Sequence, residues 1–164
     1  MTKKMIKVIR NKNGFSLVEL LIVIALLGII AAIGFLTLTG VLNSSRQKVD
    51  YQNADLIERA IEAYMFLTED GELKHLTNSS NDKINNGDDS EKLILILQDK
   101  IINAKNGEEL EPLLVPKEGK APSADNFATQ WEEHKGYKIE IYSDNMTCDV
   151  YPVKDVNDAK ININ

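Results

Sequence analysis

Apolar and polar positions divide the chain into contrasting stretches. From Phe15 to Leu42 Glu19 is the only charged residue. A helix needs about 20 apolar residues to cross the hydrocarbon core of a bilayer, and no proline interrupts this run. The pattern therefore predicts a membrane-spanning helix over 15–42. Polar residues 43–48 (NSSRQK) mark the exit, yet helical periodicity continues. Ala54, Ile57, Ala60, Ile61 and Tyr64 recur at three- and four-residue spacing, with Val49 and Tyr51 ahead of them. Arg46, Lys48, Asp50, Asp55, Glu58, Arg59 and Glu62 fall between and are assigned to the polar face. This predicts an amphipathic continuation of the same helix over 43–67, whose apolar stripe needs a covering surface.

Residues 68–164 read as a globular head. The TEDGE stretch at 68–72 is expected to end the helix, with Gly71 as its stop. Residues 77–91 are rich in Asn, Asp and Ser and predict an exposed loop. Residues 90–107 predict a second helix, capped by Asp89 or Ser90 and stopped by Gly107, although the LILIL run also suits a buried strand. Residues 111–123 contain Pro112, Pro116 and Pro122 and read as extended chain and loop. The clearest β signal lies at 136–153. Tyr137, Ile139 and Ile141 alternate with polar neighbours; after a short turn Met146, Cys148 and Val150 do the same. That hairpin can lay its apolar face on the helical stripe, and the C-terminal tail either adds an edge strand or stays loose. The expected fold class is α+β: a long N-terminal helix, half transmembrane and half amphipathic, packed against a small antiparallel sheet head.

Charge and composition narrow the function classes. The formal net charge is −6, but residues 1–14 carry Lys3, Lys4, Lys7, Arg10 and Lys12 and no acid. The remainder holds 14 basic residues against 25 acidic ones, which argues against nucleic acid as a partner. Basic residues ahead of an apolar helix keep the N-terminus in the cytoplasm and send the rest outside. The single cysteine, Cys148, cannot form an intrachain disulfide. His75 and His134 lack metal-ligand spacing and are assigned to the surface, and Asp144, Asp149, Asp155 and Asp158 match no calcium loop. With no nucleophile–base pair and no phosphate-binding loop, neither an enzyme nor a bound cofactor or metal is expected.

Glu19 is the position that needs explaining. A charge at mid-bilayer costs roughly 2.5–3.5 kcal/mol, less near an edge, and calls for a partner. If the chain were cut between Gly14 and Phe15, the new α-amino group would lie four residues from Glu19, about 6 Å along a helix. In a stack of staggered chains, the amine of one subunit meets Glu19 of its neighbour. The cost of desolvation then selects one register. These residues carry a family likeness: KNGFSLVELL resembles the cleavage site of type IV prepilins and pseudopilins, with a basic leader, a glycine, a cut, an N-methylated phenylalanine and a glutamate four residues on. The likeness spans roughly residues 3–42.

The resemblance implies a cleaved leader over 1–14, processing at Gly14 and Phe15 by a prepilin peptidase, and extraction from the cytoplasmic membrane by an assembly platform protein and ATPase. It implies a homo-oligomeric helical filament outside the cell, with Glu19 neutralising a neighbour's amine and Leu20, Leu21, Gly28, Gly34 and Gly40 in the filament core. Many members have a proline where this chain has Leu36. Here Gly34, Thr37, Thr39 and Gly40 surround that position, and the helix is expected to loosen there in the filament without one. The expected function is a structural subunit of a type IV pilus serving adhesion or motility. Alternatives are a minor pilin, a type II secretion or competence pseudopilin and, from another class, a single-pass anchored binding module that never polymerises. An ordinary cleaved signal fits less well, because its apolar region is shorter.

Overall fold

The computed structural model describes residues 16–116 and 120–164; Gly14 and Phe15 lie outside them. Helix α1 spans Leu17–Thr68 and is followed by β1 (Leu76–Asn78), α2 (Ser90–Leu97), β2 (Ile101–Asn103), β3 (Glu109–Leu110), β4 (Gly136–Tyr142), β5 (Thr147–Val153) and β6 (Ile161–Ile163). Two compact units divide the chain between Val41 and Leu42.

In the first unit the described residues are helical from Leu17 on, and every side chain among them is exposed. α1 holds a stretch long and apolar enough to cross a membrane. Two hydroxyls in it bond locally. Thr37 donates to the carbonyls of Gly34 at 3.0 Å and Ile33 at 3.3 Å, and Thr39 to that of Leu36 at 2.9 Å. Such back-bonding satisfies a hydroxyl where water is absent. α1 is continuous through Gly34 and Gly40 in the single chain.

In the second unit the periodic stripe is the core. Ala54, Ile57, Ala60, Ile61, Tyr64 and Met65 are buried by the head, together with Ile139, Ile141, Cys148 and Val150 of the hairpin. Each large apolar side chain buried there contributes about 1.5–3 kcal/mol relative to exposure. β4 and β5 pair antiparallel with Ile139 opposite Val150. β6 lies on the other side of β4 and runs parallel to it. The head therefore holds two three-stranded sheets, β1-β2-β3 and β5-β4-β6, and the second is mixed where a purely antiparallel sheet was expected. α2 packs against β1, β4 and a short 3₁₀ turn at Ala124–Phe127.

Both outer edges of the mixed sheet make contacts that interrupt them. On β5 the Val150 N–H donates to Glu58 Oε2 of α1 at 3.2 Å, and two residues on, facing the same side, Pro152 has no N–H. On β6 the N–H groups of Ile161 and Ile163 donate to the Asp88 carbonyl and to Asn86 Oδ1.

Several local expectations are corrected. The helix stops at Thr68, and Glu69, at φ 55°, takes the left-handed turn assigned to Gly71. Gly71 serves close packing instead: a Cβ there would stand 2.6 Å from the Ser143 carbonyl oxygen. The expected helix over 90–107 ends at Leu97, and 101–103 is strand β2. Asp89 is its N-cap, accepting from the Glu91 N–H at 2.9 Å. Gly107, at φ 71°, turns the chain between β2 and β3. The loop expected over 77–91 begins with buried Thr77 and Asn78 and buries Ile84. Met146 sits in the hairpin turn at φ 52°, partly exposed, rather than on the inner face.

Asp50 and His134, assigned to polar surface, are both buried. Asp50 accepts three bonds: from the Gln130 N–H at 2.5 Å, the Trp131 N–H at 3.1 Å and His134 Nδ1 at 2.6 Å. Three converging donors offset the loss of water around that carboxylate.

Candidate assembly site

The N-terminal end of α1 builds the site. Ser16 stands immediately before the helix and Glu19 is its third residue. The Ser16 N–H donates to Glu19 Oε2 at 2.9 Å. This is the order Ser-x-x-Glu, in which the glutamate reaches back to a backbone donor that the helix leaves unpaired. A carboxylate in the first turn also faces the positive end of the helix dipole. The sequence thus folds Glu19 back toward the residue that follows Phe15. Glu19 is exposed, and it is the only charged residue between Phe15 and Ser45. Chemically the group is a carboxylate acceptor on an apolar stretch, suited to holding a cation.

The remaining expected residues lie along the same exposed helix. Leu20 and Leu21 are 58% and 57% exposed. At Gly28, Gly34 and Gly40 an added Cβ would meet no atom within 4 Å, so a neighbouring helix can approach closely at each. The structure brings none of these residues together with Glu19.

The head contributes groups that the residue pattern concealed. Asp50 falls four residues before Ala54 and seven before Ile57, on the apolar stripe, and that spacing was the available signal. His134 carried none, because its partner is 84 positions away. The edges of Trp131 and Tyr51 surround the imidazole, with centroids at 4.6 and 6.0 Å. Cys148 is buried with Sγ 3.5 Å from the Glu58 carbonyl, and burial, with the nearby Glu62, Glu58 and Asp149 charges, pushes its thiol well above the usual range. Asp149 accepts from the Tyr142 hydroxyl and Asp155 caps Asn157. Among the described residues no group of three or more His, Cys, Asp or Glu gathers to hold a metal.

Comparison with known proteins concerns the same end of the chain. A family model described as the prokaryotic N-terminal methylation motif matches residues 9–35. Prepilin peptidase-dependent protein A of Clostridium perfringens (strain 13 / Type A) is 40% identical over 68 residues, covering 42% of this chain and 47% of that protein. The match thus spans about half the length of the curated relative. No solved structure matches the chain. The N-terminal part of the chain thus carries a prokaryotic N-terminal methylation motif that leads into a long apolar helix, with an α+β segment following in the sequence.

Proposed function

We propose that the chain is a structural subunit of a type IV pilus, made as a membrane-anchored precursor and polymerised through its N-terminal helix. Prepilin peptidase removes residues 1–14 and methylates Phe15. The platform protein and ATPase then draw the helix from the cytoplasmic membrane into a filament, in which minor pilins can join it. Leu20 to Leu42 serve first against lipid and then against neighbouring helices, since the same apolar surface suits both.

The observation that carries this reading is Glu19: one carboxylate, turned toward the N-terminus, in the otherwise uncharged, exposed stretch 17–42 of α1. Capping a helix needs no charge in the apolar run, since glutamine closes the same box, whereas a liberated amine on a neighbour gives the carboxylate an ionic partner. Mass analysis of the N-terminus of surface-exposed protein is the test. N-methylated Phe15 is the expected result, together with loss of sheared fibres on Glu19→Ala. An intact Met1, with Glu19→Ala indistinguishable from wild type, would favour the non-polymerising anchor.

A further inference from the structure

Beyond the membrane segment, α1 keeps an uncovered outer face. Phe66 is 80% exposed, Leu67 57% and Leu56 51%, and Val115 beside them is 74% exposed. Lipid cannot account for it: Leu56 lies 14 residues past Leu42, about 21 Å farther along a helix. Two grooves flank the face. One, of about 390 Å³, is lined by Arg59, Glu62, Ala63 and Phe66 against Met146 and Thr147 of the hairpin. The other, of about 300 Å³, runs between Leu56, Ala60 and Ala63 and the 113–115 segment. Only the small Ala63 and the Arg59 stem separate them.

Charge accompanies the apolar surface. Arg59 borders both grooves, and Glu62 stands one turn before Phe66. Neither takes part in an ion pair among the described residues. A cation beside the hollow and an anion beside the knob complement one another between two copies.

We propose that this face docks a second copy of the chain: Phe66 of one subunit enters the groove lined by Leu56, Ala60 and Val115 of the next, and Glu62 of the first pairs with Arg59 of the second. The inference rests on the filament reading above. For parallel helices, a stagger of three residues, about 4.5 Å, brings Glu62 level with the neighbour's Arg59 and Phe66 level with its Ala63. Knob and hollow occupy different patches of one molecule. The contact is therefore heterologous and propagates as an open helical array rather than closing as a dimer.

A charge-swap series in the full chain, expressed in its producing cells, tests the docking by the yield of sheared fibres against the membrane-resident pool. Arg59→Glu and Glu62→Arg alone are each expected to lower fibre yield about tenfold, because each sets like charges face to face. The double variant is expected to restore it. Phe66→Ser, which opens no buried cavity, is expected to reduce yield with the membrane pool unchanged. Single swaps with wild-type yield, or a double swap that stays defective while its chain accumulates normally, would overturn the docking and leave the filament reading standing. Absence of fibres from the wild-type chain sinks both.

Discussion

At the scale of single residues, two carboxylates of α1 meet opposite fates. Asp50 is fully buried, with every visible bond directed at it from the 130–134 segment. Removing it strands two backbone N–H groups and an imidazole. Asp50→Ala is therefore expected to cost about 3–5 kcal/mol, and Asp50→Asn less, since an amide oxygen still accepts. Denaturant unfolding of the detergent-solubilised chain measures this through the fluorescence of Trp131, the single tryptophan and a neighbour of His134. Glu58 is held differently. Burial raises its pKa above the ordinary value, the Val150 N–H lowers it in part, and the Glu62, Asp149 and Asp55 charges raise it again. The folded chain then binds the Glu58 proton more tightly than the unfolded chain does. Protonation favours folding, and ionisation above the folded pKa opposes it. Glu58→Gln, which keeps an acceptor for Val150, is expected to melt at or above the wild-type temperature at pH 7. Its lead should shrink as the pH falls through the titration of Glu58. A lead that grows on acidification would contradict the assignment.

At the scale of elements, α1 was legible in the residue pattern and α2 only in part. The apolar run and the stripe after it extend over many turns, so errors at single positions such as Asp50 do not displace the helix. Ile61→Ala, at the centre of the stripe, is expected to cost about 2–5 kcal/mol. Ile30→Ala, on the exposed part of the same helix, should leave unfolding of the head unchanged, and paired denaturation curves compare the two. α2 ends early for a reason that lies elsewhere in the chain. The buried Gln98 donates through Nε2 to the carbonyls of Ile94 and Ser123, and its Oε1 accepts from Ser123 and Asn126, 25 and 28 positions away. No local pattern announces a helix stop made by such a clasp. The hairpin was legible because β4 and β5 are adjacent in sequence and strictly alternating. The tail could be read only as an edge strand or loose chain. It forms the edge strand β6, which the pattern could not decide because Ile161–Ile163 is too short to carry a period and finds its place through β4 and the 86–88 loop.

At the scale of the whole molecule, each class of contact has its own source. The core of the head is apolar stripe against hairpin, and both halves could be read from spacing. The proposed assembly carboxylate stood out for the opposite reason: Glu19 breaks the pattern around it, and an isolated charge in an apolar run is visible without any fold. The outer face of α1 was hidden, because an exposed Phe66 and a buried Tyr64 look alike until the head is laid against one of them. The guarded rims of the mixed sheet carry a further consequence. Among the described residues, Glu58 and Pro152 interrupt one rim of the β5-β4-β6 sheet and Asn86 and Asp88 cover the other, so this sheet offers a neighbouring head little unpaired backbone. A crowded reservoir of such chains should resist amyloid-like zippering, and Glu58→Ala, which uncovers the Val150 amide, is the single change from which thioflavin-positive clumping is expected first.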